Sequence, residues 1–470
     1  MPVWIDGGPR RRRVRRTVAL AMLPALAVGG AATLLTSTDI GDLRLAAASD
    51  VTFTGQGNGH GRGMGQWGAF GYAKSGWKAE QIVARYYGGT QLSRADVNLP
   101  VRVQLTQQKV ANVLAPAGAK IGDERVDPGQ AVRLDGNTAT ITQGCDGAVV
   151  KSVPAKDATV DPVTPGAGRP VAENLKFCGN NTAYRGSVAV KDGKVFNVVN
   201  IEDYLRGVVP VESKAEWADQ GGAEALRAQS IAARSYALAE SAKRGDRYND
   251  TQDSQVYGGS AKEDPRTDRA VASTAGLVMA KQGYAVSTEF SSSTGGYTAG
   301  GDFPAVKDDG DVVSPFKNWT QKVPAAKVSQ AFDVGELKSV KVVKTQSPEV
   351  PRAVAVEIAG AKRTVVVPGS EVRTKLDLRS DWFTVNGQEP ASGAPGAPSS
   401  ANPSASSSAA QPSAPGAPAQ QSAPAQAPVP GNVVDQNIVA APVDPFNPVP
   451  TAPNTAQTAP GSSAPAAGGA

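Results

Sequence analysis

One carboxylate and one polar strip stand out in this chain as groups that could do chemistry. Glu212 closes the stretch Val199-Asn-Ile-Glu-Asp-Tyr-Leu-Arg-Gly-Val-Val-Pro-Val-Glu212, read here as a strand-like run ending in a short turn that presents the acid. A polar loop leads into Gly222-Ala-Glu-Ala-Leu-Arg-Ala-Gln-Ser-Ile-Ala-Ala-Arg-Ser-Tyr-Ala-Leu238. At the helical step Ala225, Ala228, Ala232 and Ala239 line one side of this segment and Leu226, Ala233 and Ala237 the next, so a helix with small residues nearly all round is expected to be buried. Its polar strip is Arg227, Ser230 and Arg234 at i, i+3 and i+7. An arginine facing an interior takes an anion or a sugar-type acceptor, or else pairs with a buried carboxylate such as Glu202 or Asp203.

Other groups are weaker candidates. His60 is the sole histidine and lies in a glycine loop, where it is either a site residue or a packed hydrogen-bonding group. Ser291-Ser-Ser-Thr-Gly-Gly-Tyr-Thr298 holds hydroxyls with no second base in view; Ser292, Ser293 and Thr298 suit a sugar-lining loop better than a nucleophile. Tyr236, Gln255 and Tyr257 could line the same site, although tyrosines at such positions also serve as core. Cys145 and Cys178 flank a Pro- and Gly-rich segment with little periodicity. In an exported chain they read as a disulfide; a zinc site shared with His60 is the alternative, but the spacing matches no metal pattern and no fourth ligand is evident. Gly63-Met-Gly-Gln-Trp-Gly68 satisfies a dinucleotide-loop pattern without the strand-turn-helix context, and Ser314-Pro-Phe-Lys317 matches S-x-x-K with no companion motif, so neither carries a function. No metal and no cofactor is expected.

The ends of the chain limit what the middle can be. Arg10 to Arg16 form a basic run, residues 17–35 are apolar and Ala46-Ala47-Ala48 offers a cleavage site, so residues 1–48 read as a signal peptide or an N-terminal anchor. Either places the remainder outside the cytoplasm, secreted or in the cell envelope, with the membrane met only through the leader. Residues 1–48 hold seven Arg and three Asp, so nearly all of the formal charge of +5 belongs to the leader and nothing points to nucleic acid. From 388 to 470 the composition turns to Pro, Ala, Ser, Gln and Gly, a tail expected to be disordered and to act as a spacer or a solubilising appendage. Residues 49–387 remain as the folded part.

Within that part the pattern predicts an α+β fold, rich in antiparallel strands, built around the small-residue helix. Residues 98–183 read as a smaller β unit or insertion. Asp135-Gly136 and Asp192-Gly193 are hairpin signals, and Ala79, Ile82, Val83 and Tyr86 predict a short amphipathic helix stopped at Gly88-Gly89. Further strands are expected at 277–280, 285–290, 340–344, 353–358 and 364–367.

Several of these motifs, in order, resemble one family. Asp203-Tyr-Leu-Arg-Gly-Val-Val-Pro-Val-Glu212, Ala223-Glu-Ala-Leu-Arg-Ala-Gln-Ser-Ile-Ala-Ala-Arg-Ser-Tyr-Ala237, Gln255-Val-Tyr-Gly258 and Ser291-Ser-Ser-Thr-Gly-Gly-Tyr-Thr298 are similar to the signature of the stage II sporulation protein D and amidase enhancer (SpoIID/LytB) family. Two departures accompany the likeness. The family's Gly-His-Gly-x-Gly-Met-x-Gln-x-Gly-Ala block, usual near the C-terminal end, stands here at Gly59 to Ala69, as in a circular permutation, which predicts that His60 folds back against the end of the domain. The family's Glu-Met-Pro is here Glu212-Ser-Lys. The resemblance implies lytic transglycosylation of peptidoglycan glycan strands with Glu212 as the catalytic acid, Arg227, Arg234, Tyr236, Gln255, Tyr257, Ser292, Ser293, Thr298, His60 and Gln66 binding substrate, and burial raising the pKa of Glu212. A single carboxylate suffices if the sugar's own 6-hydroxyl attacks, whereas hydrolases need two. The alternative the family implies is a non-catalytic wall-binding enhancer of an N-acetylmuramoyl-L-alanine amidase, with Glu212 reduced to capping or pairing near the next helix.

Overall fold

A computed structural model describes residues 50–156, 158–163 and 169–386, with the backbone of Asn437–Ile438. The readings of residues 1–48 as a leader and of 388–470 as a disordered tail lie outside the described residues, apart from Asn437–Ile438, which pair in parallel with Gln91–Ala95. The protein is α+β, and it starts where it finishes. Val51–Gly55 is the middle strand of a three-stranded sheet, antiparallel to Trp319–Val323 on one side and to Phe383–Val385 on the other. Phe53 and Phe383 meet edge to face at 5.3 Å in the core beneath.

The glycine block follows. Met64–Gly65 pair in parallel with Phe290–Ser291, and α1 (Gln66–Lys74) begins at once. α1 needs its glycines because other backbone crosses it closely. A Cβ on Gly71 would lie 2.0 Å from the Gly310 carbonyl oxygen, and one on Gly68 would meet the Asp308 carboxylate at 2.3 Å. The second helix, α2 (Ala79–Tyr86), buries Ala79, Ile82, Val83 and Tyr86, the four residues whose spacing predicts it.

Residues 100–200 form two six-stranded antiparallel sheets. Gly136 has φ +58° between Ala131–Asp135 and Thr138–Thr142, the conformation a type II′ hairpin requires at its first central position. Asp192 and Gly193 both have positive φ, 49° and 69°, the type I′ pattern, between Ser187–Lys191 and Lys194–Asn200. The segment between the cysteines is more regular than its composition predicts: Val149–Pro154 pairs with the neighbouring Thr138–Thr142, and Thr159–Pro162 and Leu175–Phe177 are strands held by ladder partners distant in sequence. Cys145 and Cys178 are disulfide-bonded, with their Cα atoms 5.5 Å apart. The second sheet runs past residue 183 to Asn200, and its core is shared with the helices that follow.

One element differs in kind from its sequence reading. Residues 201–212 are a helix, α3 (Ile201–Glu212), and not a strand ending in a turn. Its β-branched residues and Pro210 suggest extended chain, but Ile201, Tyr204, Leu205, Val208 and Val209 recur at helical spacing and are all buried. Asn200 caps it by accepting the Glu202 N–H at 2.8 Å, and Pro210, in the last turn, removes one i→i−4 hydrogen bond that the buried face outweighs.

α4 (Ala223–Arg244) is the hub, in contact with α1, α2, α3, α5 (Pro265–Ser273) and Leu277–Lys281. Ala225, Ala228, Ala232, Ala233 and Ala237 are buried, which lets five elements reach its backbone. Beyond it, the meander Leu337–Thr345, Ala353–Gly360 and Thr364–Pro368 carries α6 (Ala325–Phe332) and α7 (Gly369–Leu376) and shares its core with Val51 and Phe53. No helix among the described residues is long and apolar enough to cross a membrane.

Candidate functional site

Glu212 is the last residue of α3 and is half-buried. The C-terminal end of a helix carries partial negative charge, so the position disfavours a carboxylate and favours the acid form. One oxygen accepts the Val256 N–H at 2.8 Å. Burial pushes the Glu212 carboxyl above its usual range; the Val256 hydrogen bond opposes this, and no cationic side chain enters the balance. Its carbonyl oxygen accepts from Gln66 Nε2 at 2.8 Å, and the same Nε2 lies 3.3 Å from Gln229 Oε1. Three segments thus converge on the acid: the glycine block through Gln66, α4 through Gln229, and the 255–257 loop through Val256.

The loop is held from behind. Gln255 is 1% exposed, accepts from the hydroxyls of Tyr248 at 2.9 Å and Tyr204 at 3.3 Å, and donates to the Ala233 carbonyl at 3.3 Å. Tyr257 donates to Asn197 Oδ1 at 2.9 Å and packs on Gly207, whose absent Cβ leaves room for the ring. Neither reaches open surface, so the expectation that Gln255 and Tyr257 bind substrate directly gives way to a positioning role: they fix the N–H that faces Glu212.

The arginines also turn inward. Arg234 is 0% exposed, forms a two-pronged pair with Glu202 at 2.6 and 2.7 Å, and donates to the Leu277 carbonyl at 3.0 Å. Arg227 pairs with Glu224 at 2.8 Å and Glu80 at 3.1 Å. Both guanidinium groups are occupied by the protein's own carboxylates, which corrects their assignment as substrate ligands. Ser293 donates to Asp311 at 2.8 Å, and Thr298 Oγ1 accepts the Val306 N–H at 2.8 Å; both are 1% exposed and hold the turn-rich run to its neighbours instead of lining a sugar site. Ser292 is half-buried, and its carbonyl accepts the Trp67 N–H at 3.0 Å.

The glycine block brings a second polar group to this side. His60 Nδ1 accepts the Arg62 N–H at 3.0 Å, which leaves the ring proton on Nε2. Burial, with the Arg62 charge, lowers its pKa to about 4, so it is neutral at pH 7. Arg62 forms a two-pronged pair with Glu289, 2.7 Å on each arm. Burial acts against Glu289's charge, but the hydrogen bond and charge of Arg62 hold it below its usual range. Tyr236 is raised by burial and feels the charges of both Glu289 and Glu212, with its ring edge-on to Phe290 at 6.3 Å. Gly59 donates to the Arg379 carbonyl at 2.7 Å, so the His60 loop does fold against the end of the chain's folded part.

Four residues around this cluster escape a reading from residue type. Trp67 is half-buried, with its ring 5.1 Å from Trp217 and the Lys214 ammonium 4.9 Å above it. Glu289 is a second carboxylate on the Tyr236 side. Gln229 sits within α4 and looks like a core-helix glutamine. Trp67 and Lys214 could have been found as direct neighbours of singled-out residues, since they follow Gln66 and the departure after Glu212. Among the described residues no cluster of three or more His, Cys, Asp or Glu could hold a metal ion.

Comparison with known proteins bears on the central segment. The family model for stage II sporulation protein, SpoIID, matches residues 190–280. The chain is 36% identical over 108 residues to an uncharacterised protein of Brachyspira hyodysenteriae, covering 22% of this chain and 28% of that one. It is 42% identical over 94 residues to the amidase enhancer of Bacillus subtilis, covering 20% of this chain and 12% of that protein. It is 28% identical over 216 residues to the stage II sporulation protein D of the same organism, covering 39% and 60%. The chain therefore spans less than two thirds of each of these relatives. No solved structure matches it.

Proposed function

We propose that this chain, whose residues 190–280 match the SpoIID family model and resemble stage II sporulation protein D and the amidase enhancer, is an extracytoplasmic peptidoglycan-remodelling protein that cleaves glycan strands as a lytic transglycosylase. The observation that carries this reading is Glu212: a half-buried carboxyl at a helix C-terminus, raised by burial, with a backbone N–H on one oxygen and no cation in its balance. Burial of this kind favours the protonated form that a general acid needs.

In the reaction, Glu212 protonates the glycosidic oxygen as the bond to the anomeric carbon breaks. The carboxylate then takes the proton of the muramic 6-hydroxyl as that oxygen bonds to the same carbon, leaving a 1,6-anhydro end. One residue serves both steps, and no second carboxylate is needed opposite it. Glu289 does not compete for the acid role, because Arg62 keeps it ionised. Gln66 and Val256 fix the acid's backbone and one of its oxygens, and the Lys214 ammonium is drawn over the ring of Trp67, the residue after Gln66. Arg234 and Arg227, spent on internal pairs, take no part.

A second reading is favoured by the 42% identity to a protein named amidase enhancer: a non-catalytic wall-binding partner of a cell-wall amidase. The two separate cleanly. Incubating the chain with purified glycan strands, with and without stem peptides, should yield 1,6-anhydromuramyl ends by mass spectrometry, and Glu212→Gln should abolish them. An absence of anhydro products, with a rise in amidase rate on mixing, would assign the chain to the enhancer class.

A further inference from the structure

A cavity of about 420 Å³ opens between the sheet centred on Val51–Gly55 and the 345–351 loop. It shares no residue with the Glu212 cluster. Its walls carry no charged side chain: Thr54, Gln56, Asn318, Thr345, Trp382 and Thr384 supply hydroxyls, two amides and an indole, and the rest of the lining is glycine, proline and phenylalanine. Neither the Gln56 nor the Asn318 side chain forms a hydrogen bond to the protein among the described residues, so both amides are available to a ligand.

The indole is fixed in place. Arg352, 2% exposed and paired with Asp381 at 2.6 Å, lies over the Trp382 ring at 5.1 Å, and the Trp382 carbonyl accepts the Gln56 N–H at 3.0 Å. Gly55 lets the wall close in, since a Cβ there would lie 2.3 Å from both the Trp319 ring and the Trp382 carbonyl oxygen. A second cavity, of about 500 Å³, adjoins the first at Gln56 and Asn318, but Lys307, Asp309 and Lys317 line it with the buried Asp308 and Asp311, so the uncharged site is the first cavity alone.

A rigid aromatic ring, uncommitted amides and hydroxyls, and no charge match a neutral polyhydroxylated ring better than a phosphate, a carboxylate or a nucleobase chain. The volume lies within the roughly 300–1,000 Å³ of small-ligand sites. We infer that this cavity is a second carbohydrate-binding site, which takes a neutral N-acetylated pyranose against Trp382 and holds a glycan on the chain apart from Glu212. That the sugar belongs to a cell wall rests on the proposed function; that the cavity takes a neutral sugar does not. Two sites on one chain raise the effective concentration of a long strand at the acid without new contacts there.

The test uses the full chain carrying Glu212→Gln and chitotetraose as the probe in isothermal titration. Trp382→Ala should weaken binding roughly tenfold, Trp382→Phe should restore part of the loss, and raising the salt should change little. Asn318→Ala, at an exposed position, should also weaken binding and decides the matter if Trp382→Ala fails to fold. Absence of chitotetraose binding, or equal affinity in the folded variants, overturns the site. With Glu212 restored, anhydro ends from glycan strands read the other site: binding lost with cleavage retained sinks only this inference, and the reverse sinks only the proposed function.

Discussion

At the scale of single residues the chemistry turns on which charged groups the protein satisfies internally. Glu212 is raised by burial, so its folded value lies above its unfolded one. The acid form is the one the fold prefers; the associated stability is present below the unfolded value near 4.5 and is lost as the pH rises through the folded value. Anhydro-product formation should therefore fall on the alkaline side as Glu212 loses its proton, and a pH–rate profile flat to pH 9 would contradict the assignment. Glu212→Gln, which removes a poorly solvated charge, should melt at or above the wild-type temperature at pH 8 while losing activity. Arg234 is the opposite case. Arg234→Met strands Glu202 without its partner and should cost about 3–5 kcal/mol in a denaturant titration, with the double change to Glu202→Leu recovering part of it. Glu212 was legible in the sequence as a lone acid between strong motifs. The fate of Arg234 was legible only as one of two alternatives: its strip gives the helical face and Glu202 was a candidate partner, but only the fold chooses that carboxylate, 32 residues away, over a substrate.

Elements were legible where local rules decide them. The hairpins at Gly136 and Asp192-Gly193 follow from positive φ, and α2 from its period. α3 was misread because valines and a proline argue for extended chain, while burial of one face against α4 and α5 imposes the helix. Thr159–Pro162 and Leu175–Phe177, between the cysteines, were missed because they pair with strands far along the chain. Close backbone crossings belong to this scale too. Gly71→Ala would drive a methyl into the Gly310 carbonyl and should destabilise by about 1–3 kcal/mol; since α1 carries Gln66 at its start, cleavage should fall with it, measured as anhydro ends at matched folded fraction.

For the molecule as a whole, two buried acids tie α2 and the turn-rich run at 291–298 to the 308–311 segment. Asp308 accepts from Tyr86 at 2.7 Å and Thr294 at 2.7 Å, while Asp311 takes Ser293. Burial and mutual repulsion push Asp308 up to about 7, and burial pushes Asp311 up to about 6, from an ordinary 3.8. Their contribution to stability is complete below 3.8 and declines as the pH climbs to 7, so the melting temperature should drop between pH 5 and 8. Asp308→Asn should flatten that slope, and an unchanged slope would remove these groups from the account. The meeting of the two ends was anticipated from the displaced Gly59 to Ala69 block, but the strand order that achieves it, Trp319–Val323 beside Val51–Gly55 beside Phe383–Val385, required coordinates.

That strand order has a mechanical side. Residues 50 and 386 leave the Val51–Gly55 and Phe383–Val385 ladder at the same end, where the Asn386 N–H meets the Thr52 carbonyl at 2.7 Å. Tension between these two points loads the hydrogen bonds in series, so they peel one after another instead of shearing together. The first piece to come away under a pull would be Phe383–Val385, which has one neighbour, while Val51–Gly55 keeps its second partner Trp319–Val323 and the block that carries Gln66 stays seated. An optical-trap pull on these two residues should show a small early extension at low force, well ahead of the main rupture.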